Sequence, residues 1–83
     1  MNSDNEKKLQ ATFAKVLNLK AGDDFSALQQ NVHPNWDSLR HVELFIAMSK
    51  QFEITFEVHE VLGLNTYERV REAVNRKLTE GPE

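Results

Sequence analysis

The sequence contains no cysteine, no excess of basic charge and no long apolar run. Without a thiol there is no disulfide staple, no thiolate nucleophile and no cysteine-based zinc site, and a reducing compartment suits the chain. Ten basic residues against 13 acidic ones give a net charge of -3 and an isoelectric point near 5.6. Such a surface offers nucleic-acid phosphates nothing to bind, so no nucleic-acid partner is expected. No apolar segment is long enough to cross a bilayer, so no membrane insertion is expected either. The polar start Met1-Asn2-Ser3-Asp4-Asn5-Glu6 lacks the basic-then-apolar order of a secretory signal, which makes the cytoplasm the expected location. At 83 residues the chain suffices for one modest core but not for a core plus a walled catalytic cavity. The expectation is one monomeric domain over 1–83, folded over about 4–78.

What the sequence does contain is helical periodicity. Ser3 and Glu6 have capping-box spacing, and Leu9, Phe13, Val16 and Leu17 recur at helical intervals, predicting a first helix from about Asp4 to Leu17. Gly22 marks that it has stopped. From Asn18 to Asp37 the periodicity lapses, and Gly22, Asp23, Asp24, His33, Pro34 and Asn35 have the chemistry of a long loop. Ser26 and Gln29 suit the cap of a short turn within it, and Phe25, Leu28 and Val32 are the residues expected to pin it to the core. A second helix should begin at Asp37 or Ser38, run through Leu39, Val42, Phe45, Met48 and Phe52, and give way near Glu53. Phe52 to Phe56 alternates like a strand but has no evident pairing partner, so it reads as an extended connector. Glu57 to Leu62, ending at Gly63, is a short third helix. Asn65 and Glu68 form a further cap signature before Tyr67, Val70, Val74 and Leu78, and that last helix should fray through Gly81-Pro82. The fold class is all-α: four helices in a bundle, with a long loop between helices 1 and 2 and a short helix 3.

Ser38 stands where the loop becomes the most apolar helix. A helix start presents free N–H groups and the positive end of the helix dipole, which would hold a phosphodiester on this hydroxyl favourably. Asp37 and Ser38 are equally ordinary N-cap residue types, so the tripeptide alone is compatible with a purely structural cap. Along the second helix, His41, Phe45, Met48 and Phe52 share one side, flanked by Leu44 and Ser49. Arg40, Glu43, Lys50 and Glu53 share the other, which must face water. Leu39, Ile46 and Ala47 lie on that charged face, either as a docking surface or half-covered by the long loop.

Other residues point to simpler roles. His33, His41 and His59 have no ligand spacing among themselves, so no metal site is expected. Ser38, Asp37 and His41 are too close along one helix to align as a hydrolytic triad, so no catalytic residue is assigned. His41 is expected to pack under Trp36 or to hydrogen-bond the loop. The mixed charges Glu68, Arg69, Arg71, Glu72, Arg76 and Lys77 read as a solvated helix face.

Trp36-Asp37-Ser38-Leu39-Arg40-His41-Val42-Glu43-Leu44, followed by Phe52-Glu53-Ile54-Thr55-Phe56 and a short helix before a longer one, resembles the acyl and peptidyl carrier protein family. The resemblance runs from the first helix to Leu78 and is sharpest from Asp37-Ser38-Leu39 through Glu43-Leu44. It implies an acyl-carrier-like bundle whose Asp-Ser-Leu serine, here Ser38 between Asp37 and Leu39, receives 4'-phosphopantetheine from coenzyme A through a Mg-dependent phosphopantetheinyl transferase. The thiol of that arm would hold an acyl, aminoacyl or peptidyl group as a thioester, a thiol the cysteine-free chain does not itself provide. The carrier would not be an enzyme. Its partners would be the transferase, an acyl- or aminoacyl-activating loading enzyme and a downstream acyltransferase, synthase or condensing enzyme. The second helix is the family's main contact element, which makes Leu39, Arg40, Glu43, Ile46, Ala47 and Lys50 the expected partner face.

Fatty-acid members usually carry a strongly acidic second helix. Here Arg40 and Lys50 offset Glu43 and Glu53, and Trp36 replaces a glycine common in those members. The departure favours a stand-alone, specialised carrier in a biosynthetic pathway over a housekeeping fatty-acid role. Bulky Phe13, Phe25, Phe45 and Phe52 would fill the interior and leave the cargo outside. The competing expectation is a non-catalytic helical adaptor with the same bundle that is never modified; a small hydrolase would require turnover by the isolated chain.

Overall fold

Leu9, Phe13 and Leu17 recur every fourth position and are all fully buried, so the first helix turns one apolar stripe inward as its period requires. In the computed structural model, which describes residues 3–20 and 24–80, that helix is α1 (Ser3–Leu17). It is followed by a 3-10 turn (Phe25–Ala27), α2 (Ser38–Phe52), α3 (Val58–Gly63) and α4 (Tyr67–Glu80). Among the described residues there is no strand, and the fold is all-α. Gly22, the Ser3 side-chain cap and the fraying at Gly81-Pro82 lie outside what the structure describes. α1 ends at Leu17, as its period predicts, and the left-handed φ of 53° at Asn18 lets the Leu19 N–H donate to the Ala14 carbonyl at 3.0 Å, the Schellman pattern.

The long loop is held by backbone pairing that its composition does not announce. Gln29 forms an isolated antiparallel bridge with Thr66: the Gln30 N–H donates to the Asn65 carbonyl at 2.9 Å and the Tyr67 N–H to the Leu28 carbonyl at 3.2 Å. Leu28 is buried and Phe25 packs against the core, but Val32, expected as a third anchor, is exposed. It sits in a turn whose own backbone bonds reach back to Gln29. The short turn is capped by Asp24 rather than by Ser26, the Asp24 carboxylate accepting from the Ser26 N–H at 3.0 Å and hydroxyl at 2.7 Å. Farther along, Asn35 donates its side-chain amide to the Leu17 carbonyl at 2.9 Å, satisfying an orphan acceptor at the end of α1.

α2 turns His41, Leu44, Phe45, Met48 and Phe52 inward, the face read from the helical angle, while Val42 falls outside it. It stops at Glu53, where a φ of 55° and an Ile54 N–H bond to Ser49 at 3.2 Å repeat the device that ends α1. Residues 54–57 form the extended connector. α4 begins one residue later than the Asn65 signature suggests: the Arg69 N–H donates to Thr66 Oγ1 at 3.1 Å, and Asn65 takes the Arg69 guanidinium at 3.3 Å instead. Thr66 is the better-placed cap because it is the last extended residue before the helix.

The core is organised around a continuous chain of rings. Phe25, Tyr67, Phe13, Trp36, His41, Phe45 and Phe56 follow one another with centroid separations of 4.8 to 5.8 Å. That chain joins the loop, α4, α1, α2 and the connector. Edge-to-face and tilted pairs of this kind each add about 0.5–1.5 kcal/mol beyond the area they bury.

Candidate functional site

The candidate site is built at the start of α2. Asp37 is extended, with φ -97° and ψ -173°, and its carboxylate accepts from the Arg40 N–H at 2.8 Å. Its own carbonyl takes the first helical bond, from the His41 N–H at 2.9 Å. Asp37 is therefore the N-cap, and Ser38 is the first helical residue. The Ser38 side chain is exposed, and its hydroxyl has no partner among the described residues. With Asp37 serving the third N–H of the helix, those of Ser38 and Leu39 precede any intrahelical acceptor and remain open. The donor set suits a phosphodiester: one free hydroxyl to esterify, two adjacent N–H groups and the positive helix end.

Leu39 is 67% exposed and Ile46 53%, so the loop does not cover them. Arg40 and Glu43 approach each other at 3.9 Å with both side chains well exposed, a pair that contributes little. Glu43, Ile46, Ala47 and Lys50 line an open groove of about 630 Å³ whose other wall is Thr12, Lys15 and Val16 of α1. The expected partner residues thus divide: Leu39 and Arg40 sit beside Ser38, whereas the other four lie farther down α2 against α1.

Helix-angle reading of α2 alone missed the apolar surface on its other flank. Val42 is 51% exposed, and Val58 and Leu62 of α3 are 77% and 73% exposed. The last two are four apart in a six-residue helix, a spacing that puts both on one face.

Sequence reasoning also left the role of Trp36 open. The indole is fully buried, edge-on to Phe13 and stacked on His41, and its Nε1–H donates to His41 Nδ1 at 2.8 Å. His41 Nε2 in turn meets the Val61 carbonyl of α3. Both expectations for His41 hold together, and neither ring nitrogen is directed at Ser38. Among the described residues no group of three or more His, Cys, Asp and Glu is placed to hold a metal. No described helix is long and apolar enough to cross a membrane.

No protein-family model, curated protein or solved structure matches this chain.

Proposed function

We propose that this chain is a carrier protein whose Ser38 accepts 4'-phosphopantetheine from coenzyme A and holds an acyl, aminoacyl or peptidyl group as a thioester on that arm. The observation that carries the reading is the Ser38 hydroxyl, exposed and unpartnered at the first position of α2 within Asp37-Ser38-Leu39. Either Asp37 or Ser38 could have capped the helix; Asp37 fills that role and leaves the serine oxygen free to be esterified. When attached, the arm supplies the thiol that the cysteine-free chain lacks. The four helices with a long first loop and a short third helix are in keeping with an acyl-carrier-like bundle.

The protein's own contribution is positioning and recognition. Asp37 fixes the first turn so that Ser38 projects outward, and Leu39, Val42 and Ile46 give a phosphopantetheinyl transferase and a loading enzyme an apolar rim. The charges around that rim offset one another, which suits a specialised pathway with its own partners rather than enzymes that grip an acidic helix. Trp36, Phe13, Leu44 and Met48 fill the interior, favouring a cargo that rides on the surface.

Intact mass after co-expression with a broad-specificity transferase tests the proposal. The expected result is the mass of one phosphopantetheine on the wild-type chain and none on Ser38→Ala. No increment on the wild type, or one that survives Ser38→Ala, overturns it. The exposed Leu39, Val42 and Ile46 equally suit a non-catalytic adaptor that docks without an arm; that reading predicts partner binding indifferent to Ser38→Ala.

A further inference from the structure

Among the described residues His41 is the one buried polar residue in the core, and its hydrogen-bond partners specify which ring nitrogen donates. The Trp36 indole can only donate, so His41 Nδ1 must accept; the Val61 carbonyl can only accept, so His41 Nε2 must donate. The hydrogen-bond pattern thereby assigns the proton to Nε2 and the acceptor role to Nδ1. The Val61 carbonyl belongs to the last turn of α3, where intrahelical donors run out. The Asn65 N–H, which would reach it in a longer helix, goes to Gly63 at 3.1 Å instead.

Beyond Val61, which packs against the core, α3 is held by a few polar bonds. None of its residues is buried. Its polar tethers from α4 are the Lys77 ammonium on Glu60 at 3.0 Å and the Arg69 guanidinium on the Gly63 carbonyl at 3.4 Å. Among the described residues the bond from α2 is that of His41, one helical turn after Ser38. Its other end is Trp36, two residues before Ser38 and rigid in the core. The relay from Trp36 through His41 to Val61 therefore brackets Ser38 along the chain and joins α3, with exposed Val58 and Leu62, to the first turn of α2.

We infer that His41 is a positioning residue: it latches α3 beside Ser38 and so sets the apolar surface that a phosphopantetheinyl transferase recognises there. The inference rests on the carrier reading for its functional half and on geometry alone for the latch. It assigns His41 no proton transfer and no contact with the arm.

Two variants separate the ring's two bonds. Asparagine places an acceptor near the position of Nδ1 and keeps the Trp36 bond; glutamine places a donor near Nε2 and keeps the bond to Val61. His41→Asn should raise amide exchange across α3 and raise the transferase KM for the carrier on the order of tenfold with kcat within about twofold. His41→Gln should restore both toward wild type. Because glutamine also fills more of the histidine's volume than asparagine, the latch is separated from general loosening by where exchange rises: in α3 for the latch, and across α1, α2 and α4 alike for a loosened core. Unchanged exchange in α3 for His41→Asn, or equal KM for wild type and both variants, overturns the inference. Should His41→Asn fail to fold, nitrogen-15 spectra of the wild-type imidazole decide the latch: a protonated Nε2 and bare Nδ1 support it, and a protonated Nδ1 refutes it. A wild-type chain that takes up no phosphopantetheine refutes the carrier reading and the recognition half with it, while exchange in α3 still judges the latch.

Discussion

Lys77 Nζ lies 3.0 Å from Glu60 Oε1 and 5.2 Å from the centre of the Phe56 ring, so a single ammonium ties the end of α4 to both α3 and the connector before it. Neither side chain of the pair is more than about a quarter exposed, at 23% and 18%. Partial shielding of this kind makes a pair more useful than the exposed contact between Arg40 and Glu43.

This pair should appear in the acid limb of stability. Burial pushes the Glu60 carboxyl up, but the Glu57 N–H and the Lys77 ammonium together outweigh it and hold the group below its ordinary value of 4.5. A carboxyl lowered on folding stabilises the folded state fully above its unfolded pKa, and that contribution is lost as pH falls through the folded one. Glu60→Gln should cost on the order of 1 kcal/mol at pH 7 and make denaturant unfolding flatter than wild type below pH 4.5. Parallel wild-type and variant curves across that acid window would contradict the assignment.

At the start of α2, neighbouring substitutions should behave differently. Asp37→Ala removes the cap from the Arg40 N–H and should cost about 0.5–2 kcal/mol. Ser38→Ala removes an exposed hydroxyl with no partner and should change stability by less than about 0.5 kcal/mol. Thermal unfolding of the unmodified chains compares them directly. A Ser38→Ala loss as large as that of Asp37→Ala would mean that the serine is part of the cap.

Glu53 ends α2 in the left-handed region at φ 55°, where a β-carbon is crowded against the neighbouring carbonyl. Its side chain is exposed. Glycine avoids the crowding, so Glu53→Gly should stabilise by about 0.5–1 kcal/mol, or several degrees in Tm for a domain of this size. Asn18→Ala should destabilise for the converse reason. A fall in Tm for Glu53→Gly would show that the glutamate side chain contributes more than its exposure suggests.

Helix positions and the buried face of α2 were legible in the sequence because Leu9, Phe13, Leu17 and His41, Phe45, Met48, Phe52 recur with the helical period, and burial follows that period. Helix ends were less so. Asp24 and Thr66 cap their elements through side-chain hydrogen bonds, and at each place a neighbour of similar composition, Ser26 or Asn65, carried the same signal; the end of α1 at Leu17 followed from the lapse of its period. The bridge of Gln29 to Thr66 was invisible because it is long-range and backbone-only. Ser38 was legible as a helix start; the relay from Trp36 to Val61 joins three segments distant along the chain, and no local pattern encodes it. Val58 and Leu62 share a face by spacing alone, but a helix of six residues is too short for its pattern to fix which side meets the core.

The exposed rim should separate recognition from folding. Leu39 and Ile46 are at least half exposed, so replacing either with aspartate should change stability by less than about 0.5 kcal/mol, and an acid at position 39 gains slightly from the helix dipole. Removing an apolar anchor from a docking surface costs more, typically above about 1 kcal/mol of binding. Leu39→Asp and Ile46→Asp should therefore lower kcat/KM for phosphopantetheine transfer by about fivefold to tenfold while unfolding as wild type does. With Arg40 and Lys50 offsetting Glu43 and Glu53, the wild-type rate should depend only weakly on salt, because little net charge is available to steer the partners together. A steep fall with added salt would instead assign recognition to individual charges, and full transfer rates in both aspartate variants would move the contact off this face of α2 altogether.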